Sequence, residues 1–225
     1  LCVAVPGAAY LPLATLAGTV DWQGSTTKFA TLYATLPGNG ELDGSGEWRD
    51  GILQLALTAN RLDAAQIVSS LRSTRLKGPI SSLLGTDRQQ LKLDLKDATF
   101  ALLAEASHSG ERIDLPQLQL SAGDARLIAK AELDLKTPRT FMAEGELQRF
   151  DPSRFAKVPA AQINASFKAD GRLDPRAVVD ASFSLKDSRV ANQPLSGQGK
   201  LSIAWPRIPG IDVQLVSGAN HLTAK

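Results

Sequence analysis

The sequence contains little of what metal and redox sites are built from. Cys2 is the only cysteine in 225 residues, which excludes an internal disulfide framework and a cysteine-rich metal site. The two histidines, His108 and His221, are more than a hundred residues apart, with no carboxylate near either at metal-ligand spacing. We therefore expect no metal and no other cofactor.

Aromatic residues and unbalanced charge are also scarce. Phe, Trp and Tyr make up 5% of the chain, which leaves few rings on which bases could stack. The 25 basic and 23 acidic residues give a net charge of +2, and no run of like charge forms a basic patch. The composition excludes nucleic acid as a partner.

No apolar run approaches the roughly 20 residues that a membrane-spanning helix needs. Residues 1–12 are apolar but are interrupted by Pro6, Gly7 and Pro12 and lack a basic start. We interpret them as an ill-defined apolar start, and the whole chain as an internal piece of a longer protein.

Catalytic motifs are missing as well. No nucleophile, base and orienting group recur at a useful spacing, so we expect no enzyme. The runs Gly38-Asn39-Gly40 and Gly44-Ser45-Gly46 superficially resemble phosphate loops, but no helix starting with Lys-Ser or Lys-Thr follows them.

What the chain does have is a nearly continuous alternation of apolar and polar residues with period two. In 126–135, Leu127, Ala129, Ala131 and the following odd-numbered residues fall on one side, while charged residues fall on the other. The pattern predicts strands at about 13–22, 28–36, 40–49, 52–60, 90–104, 112–121, 124–136, 139–149, 160–173, 177–190, 195–204 and 210–217, with another near 220. Short connections make neighbouring strands antiparallel, and so many strands predict a strongly curved sheet.

Two segments break the alternation. Residues 63–75 place Ala64, Ile67 and Leu71 at helical spacing behind an Asp63 N-cap, which predicts a short amphipathic helix. Residues 151–155 place a proline directly after an aspartate, which predicts a second short helix. Both segments follow a large apolar residue at the end of a strand.

Internal matches indicate a repeated multi-strand module. Residues 41–48 align with 126–133 at a spacing of 85, and residues 118–130 align with 213–225 at a spacing of 95. Leu-Lys-Asp at 95–97 recurs at 185–187. We predict modules of about 85–95 residues, with approximate units at 13–85, 86–159 and 160–225, in an elongated body that grows by adding strands.

Small residues are common in the apolar phase of the strands, for example Gly44, Ala129, Gly145 and Ala169. Two walls lined this way would either approach closely as a side-chain-filled sandwich or barrel, or leave a gap for a rod-shaped apolar ligand. In the second case the predicted lining is Leu42, Leu53, Leu55, Leu57, Leu93, Leu95, Leu118, Leu120, Leu127, Leu133, Phe141, Leu147, Ile163, Phe167, Phe183, Leu185, Leu201, Val213 and Leu215.

Three segments carry a resemblance to a known family. The sequence NRLDAAQI at 60–67, the block LKDSRVANQPLSG at 185–197 and the run SGANHLTA at 217–224 resemble the TamB proteins of the AsmA-like superfamily. The resemblance covers most of 13–225. It implies an all-β fold, an elongated and strongly curved antiparallel sheet that forms a U-shaped apolar groove, with one or two short amphipathic helices.

The same resemblance implies a function. The chain would be the periplasmic segment of an inner-membrane-anchored protein of a Gram-negative bacterium, shielding phospholipid acyl chains between the two membranes and supporting outer-membrane protein and autotransporter assembly. An outer-membrane barrel of the Omp85 class would bind through a terminus absent here. The alternative is a chaperone-like scaffold that binds unfolded outer-membrane strands by β-augmentation. The resemblance carries no catalytic residue.

Overall fold

The computed structural model describes residues 15–225, so the predicted start at 1–12 lies outside the described residues. The described residues form fifteen strands, which follow one another across an antiparallel sheet in chain order, with β1 and β15 at the two ends of that order. The strands are β1 Thr15–Gln23, β2 Thr26–Leu36, β3 Gly40–Arg49, β4 Ile52–Leu62, β5 Leu76–Leu84, β6 Arg88–Lys96, β7 Ala101–Ser109, β8 Arg112–Ala122, β9 Ala125–Asp134, β10 Thr140–Phe150, β11 Ala161–Arg172, β12 Val178–Val190, β13 Gln193–Ala204, β14 Arg207–Ser217 and β15 Asn220–Ala224.

The predicted all-β class, with a mostly antiparallel sheet and short helical segments, is confirmed. The helical segments are the 3₁₀ turns Pro37–Asn39 and Ala64–Gln66 and one turn of α-helix, α1, at Pro152–Phe155. Within 15–225 no helix is long and apolar enough to cross a membrane.

The chain divides into two compact units. Unit 1 contains residues up to Glu105 together with 155–157, and unit 2 contains 106–154 and 158–225. The module boundaries expected near 85 and 159 remain a prediction.

The predicted helix at 63–75 is wrong beyond its first turn. The Asp63 carboxylate accepts a hydrogen bond from the backbone N–H of Ala65 at 3.1 Å, as a cap should, but also from the N–H of Thr74 at 2.9 Å. A continuous helix would carry Thr74 roughly 16 Å along its axis, out of reach of that carboxylate. The chain instead folds back around Asp63, and Leu71 forms an isolated bridge with Ala156.

The second helix is confirmed. Asp151 accepts hydrogen bonds from the N–H of Ser153 at 3.0 Å and from its hydroxyl at 2.7 Å, and the helix begins at Pro152. Proline suits this position because the first helical N–H has no partner within the helix.

Two strand predictions were also wrong. The single strand at 90–104 is broken after β6, because the Asp97 carboxylate accepts from the N–H of Thr99 at 2.7 Å and of Phe100 at 2.8 Å and so holds a turn. Strand β5 was missed, because its sequence LKGPISSLL contains Gly, Pro and two serines, which weaken the β signal.

Glycines on one face allow neighbouring strands to approach. A Cβ added at Gly44 would overlap the carbonyl oxygen of Ala56 on the next strand, and one added at Gly171 would overlap that of Val178. Only glycine permits these approaches, because any Cβ would overlap the neighbouring backbone.

The fully buried core of unit 1 is small. Ala59, Leu76 and Leu95 form its centre, and Phe100 packs beside it with its ring centroid 5.4 Å from that of Phe155. This core lies at one end of the strands, not along their length.

Candidate apolar lipid-binding face

Cross-strand pairing brings the predicted lining residues together on one face of each unit. In antiparallel strands, residues directly opposite one another share a face. In unit 1 the register joins Leu32, Gly44, Leu57, Ile80 and Leu93 into one row from β2 to β6. We call the side of each unit that carries these rows the apolar face.

The apolar face of unit 2 contains four such rows across β8 to β14. The rows are Ile113, Leu133, Phe141, Gly171, Val179 and Ile203; Leu115, Ala131, Ala143, Ala169, Ala181, Leu201 and Ile211; Leu118, Ala129, Gly145, Phe167, Phe183, Gly199 and Val213; and Leu120, Leu127, Leu147, Ala165, Leu185, Gly197 and Leu215. Ile163 pairs with Phe150 beyond a bulge. All nineteen predicted lining residues therefore lie on the apolar face of their own unit.

These side chains are neither buried nor freely exposed. Eighteen of the nineteen are half-buried, and only Leu95, at 3% exposure, is buried. A side-chain-filled sandwich would close off such alternating residues almost completely, because facing sheets interdigitate at crystal-like density. The intermediate burial indicates side chains that cover one another laterally within one layer, with the face above them open.

The glycines of the apolar face do not leave holes within the sheet. A Cβ at Gly199 would lie 2.5 Å from Cε1 of Phe183, and one at Gly145 would lie 2.7 Å from Cζ of Phe167. A Cβ at Gly171 would lie 3.1 Å from a ring carbon of Phe141. Large rings lie across the neighbouring glycines, so the small residues give a continuous apolar surface and not a set of holes.

The two ends of the strands differ. One end, which we call the capped rim, carries the loops with Asp63 and Asp97 in unit 1 and with Asp151 in unit 2. Asp151 accepts from the N–H of Ala161 at 3.3 Å, as Asp63 does from that of Thr74, so each aspartate ties its loop to the residues that lead into the following strand.

The capped-rim carboxylates are held in their ionised form. For Asp63, burial by itself would raise the pKa, but hydrogen bonds from the N–H groups of Thr74 and Ala65 and from the hydroxyl of Ser73 together lower the pKa below 3.8. The pKa of Asp97 is lowered in the same way, against burial, by the N–H groups of Thr99 and Arg75.

The opposite end, which we call the hairpin rim, has exposed apolar side chains. In unit 2, Leu135, Leu173 and Trp205 occupy equivalent places, because the backbone N–H of each donates to a carbonyl of the preceding hairpin. The acceptors are the carbonyls of Glu111, Arg139 and Ala177, respectively. Trp205 is 70% exposed and Ile208, at the start of β14, is 62% exposed. The alternation pattern does not predict this difference between the rims, because apolar residues stand at strand ends on both.

The polar face has features that the sequence interpretation did not single out. A concavity of about 720 Å³ in unit 1 is lined largely by side chains of the polar rows, namely Asp21, Lys28, Ser45, Glu47, Gln54, Ala56, Ser81, Leu83, Gln90 and Lys92. A smaller one of about 380 Å³ in unit 2 is lined mainly by Ser182, Gln198, Lys200, Asp212 and Gln214. Exposed ion pairs such as Lys130–Glu144, at 2.8 Å, cross the polar face and contribute little to stability.

The histidines lie where strands end. His108 is the penultimate residue of β7, and His221 is exposed near the start of β15. Within 15–225 no cluster of three His, Cys, Asp or Glu residues is placed to hold a metal ion.

Together the register and the burial define an all-β protein with a one-sided, uncovered apolar sheet. Comparison with protein-family models, with curated proteins and with solved structures found no match. Membership of the AsmA-like superfamily and the likeness to TamB proteins stay predictions.

Proposed function

We propose that the apolar face shields phospholipid acyl chains, and that the chain is a segment of a bridge-like lipid-transfer protein spanning the periplasm between inner and outer membranes. The observation that supports this most is the half-burial of eighteen lining residues in cross-strand rows. Water contact with so much apolar surface costs ~25 cal/mol per Å², which an acyl chain laid along the rows would recover.

The chemistry of the two faces fits such a ligand. A phospholipid joins a charged head group to apolar tails, so its tails would lie on the apolar face while the head group stays in water. No strong local site is needed, because the rows repeat from strand to strand and each position resembles the next.

The remaining parts of the proposal rest on the sequence resemblance. They are a periplasmic location, an inner-membrane anchor, an Omp85-class barrel partner, and support of outer-membrane protein and autotransporter assembly.

Native mass spectrometry of the gently purified protein tests whether it carries phospholipid. A matched pair of variants tests the face: Ala169→Asp places a carboxylate in the middle of the row Ala143–Ala169–Ala181, whereas Ser166→Asp places one on the polar face of the same strand. We expect Ala169→Asp to reduce bound lipid about tenfold or more, because a charge would be desolvated under an acyl chain. Ser166→Asp should change lipid binding little.

Circular dichroism establishes that both variants keep the β-fold. A folded Ala169→Asp variant that carries as much lipid as the unmodified protein would refute acyl-chain binding on the apolar face.

A second candidate is the scaffold that captures unfolded outer-membrane strands. It is favoured by β1, in which all nine residues are exposed. An exposed edge strand offers unpaired N–H and C=O groups to another chain. Site-specific cross-linking separates the two functions, because a scaffold predicts client protein at β1, and a lipid conduit predicts lipid at lining positions such as Phe167 and Leu185.

A further inference from the structure

We infer that two neighbouring hairpins of unit 2, residues 173–177 and 205–208, form a contact surface for an anionic lipid bilayer. This goes beyond the proposed function, because contact with a bilayer at the rim does not require an acyl chain on the apolar face. The two hairpins are adjacent, since the N–H of Trp205 donates to the carbonyl of Ala177 at 2.9 Å.

The apolar part of this surface is unusually exposed. Trp205 and Ile208 expose 70% and 62% of their surface, and Leu173 of the neighbouring hairpin exposes 42%. Tryptophan is normally among the more buried residues, and it is enriched at the boundary of a bilayer, where its ring sits at head-group depth. Trp205 stands at the tip of its hairpin, where no neighbouring strand can cover it.

The charged part of this surface favours an anionic partner. Among the described residues, no ion pair or hydrogen bond engages the side chains of Arg176 and Arg207. Arg176 directly precedes Ala177, which accepts from the N–H of Trp205, and Arg207 lies two positions after Trp205. The nearby acidic residue Asp174 is already paired with Arg139. The pair of hairpins therefore presents two uncompensated guanidinium groups beside its apolar tip, and a guanidinium can bind a phosphate through two parallel hydrogen bonds.

A bilayer fits these observations better than a folded protein does. A protein interface of ordinary strength needs about 800 Å² on each partner, with a well-packed centre. The hairpins instead offer a few projecting apolar side chains with arginines beside them. Proteins that bind a membrane surface use this arrangement, because the apolar side chains insert at head-group depth while the cations pair with lipid phosphates.

The experiment measures co-sedimentation of the 225-residue chain with phosphatidylglycerol vesicles and with phosphatidylcholine vesicles. We expect binding to phosphatidylglycerol that weakens as salt is raised, because the arginines contribute through screened charge. The double variant Trp205→Ser/Ile208→Ser should lower the partition coefficient about tenfold or more, because it removes most of the inserting apolar area. The double variant Arg176→Ser/Arg207→Ser should remove the preference for phosphatidylglycerol.

The control is Val190→Ser, which removes an apolar side chain at the capped rim of the same unit that is 42% exposed, as Leu173 of the contact surface is. It should bind vesicles as the unmodified protein does. A variant with Trp22→Phe and Trp48→Phe keeps Trp205 as its only tryptophan, and its fluorescence should be quenched by brominated acyl chains without any change to the hairpins.

Uptake of a lysophospholipid below its micellar concentration measures the apolar face separately and should be equal in all these variants. The bilayer surface is refuted if the unmodified protein does not bind vesicles, if the Trp205→Ser/Ile208→Ser variant binds them normally, or if Val190→Ser loses as much. Failure of lysophospholipid uptake with vesicle binding intact would instead refute the proposed function alone.

Discussion

At the scale of single residues, the apolar face depends on which residue stands opposite each glycine. Phe141, Phe167 and Phe183 each lie beside a glycine of a neighbouring strand, and their rings occupy the space that a Cβ would need. A ring lying flat over a glycine covers backbone from water and keeps the surface smooth. At each such pair, even one added methyl group would overlap the ring and strain the packing.

This packing predicts that one of two glycine-to-alanine changes in neighbouring strands is destabilising and that the other is nearly neutral. Gly199→Ala should destabilise the protein by roughly 1–3 kcal/mol through overpacking, since the new Cβ would meet Phe183 at 2.5 Å and Val213 at 2.9 Å. Gly210→Ala should change stability little, because the nearest atom to its Cβ is that of Ser202 at 3.6 Å. Urea denaturation of the two variants measures the difference, and equal midpoints would contradict the packing described.

At the scale of elements, two strand ends in different units have the same local structure. Leu62-Asp63 and Phe150-Asp151 end β4 and β10, and each aspartate caps a short helical turn and then holds the N–H of a residue about ten positions further on. Arg61 and Arg149, which lie two positions before these aspartates, both have positive φ at a β-bulge. The two strand ends therefore share a bulge, a cap and a loop tied by the capping aspartate.

Removing a cap should loosen the following loop. Asp151→Ala deletes the acceptor of the N–H groups of Ser153 and Ala161. It should lower the free energy of unfolding by about 1–2 kcal/mol, as the loss of an N-cap does in other proteins. The control is Asp87→Ala, which changes an exposed turn residue. Its free energy of unfolding should differ from that of the unmodified protein by less than about 0.5 kcal/mol. Thermal or urea unfolding measures both, and a neutral Asp151→Ala would show that the cap does not support the loop.

The same carboxylates predict how stability depends on pH. In the folded protein the pKa values of Asp63, Asp97 and Asp151 lie below the ordinary 3.8, because hydrogen bonds to the ionised form outweigh burial. The unfolded chain therefore binds protons first, so this contribution is present above 3.8 and is lost as pH falls through the lowered values. Urea midpoints should drop as the pH is lowered from about 5 to about 3.

The variant Asp63→Asn measures how much of this pH dependence of stability comes from Asp63. It removes one lowered pKa, so the drop in urea midpoint on acidification should be smaller than in the unmodified protein. An unchanged or larger drop would show that Asp63 contributes nothing to the acid sensitivity.

At the scale of the whole molecule, little of the chain is fully buried. Among the described residues only eight hydrophobic side chains are buried: Ala34, Leu36, Ala59, Leu76, Leu95, Ala122, Ala125 and Phe155. Most lie near the capped ends of the strands, whereas the long middle of each strand keeps its apolar side chains half-covered. Much hydrophobic stabilisation is therefore left for a ligand to supply.

A ligand that covers the apolar face should raise the melting temperature. A lysophospholipid below its micellar concentration, at about 100 times its Kd, would stabilise by ~2.7 kcal/mol and raise Tm by roughly 5–10 °C for a chain of this size. Ala169→Asp should abolish the rise and Ser166→Asp should retain it. A Tm independent of the lysophospholipid in the unmodified protein would contradict ligand binding on this face.

The period-two pattern predicted most of the strands and the face of every lining residue. It succeeded because alternation in a strand is a local property that pairing preserves: Leu127 and Leu133 must lie on the same side whatever strand comes next. Alternation failed at 97–100, and helical spacing failed at 63–75. In both places an aspartate carboxylate, Asp97 or Asp63, accepts hydrogen bonds from backbone N–H groups and so holds a loop in place of regular structure. Propensity and residue spacing report only the local preference of the backbone for helix or strand. They do not report a hydrogen bond between a carboxylate and a backbone N–H about ten residues away.

A sheet with one apolar side follows from the order of residues alone, because hydrophobicity and the strand period are local properties of the chain. Strand pairing was needed to show that Phe183 covers Gly199, that one rim is capped while the other exposes Trp205, and that the apolar rows stay half-buried. These depend on register and on which strands become neighbours. A residue's environment is fixed by partners distant in the chain, and alternation within one strand contains no information about them.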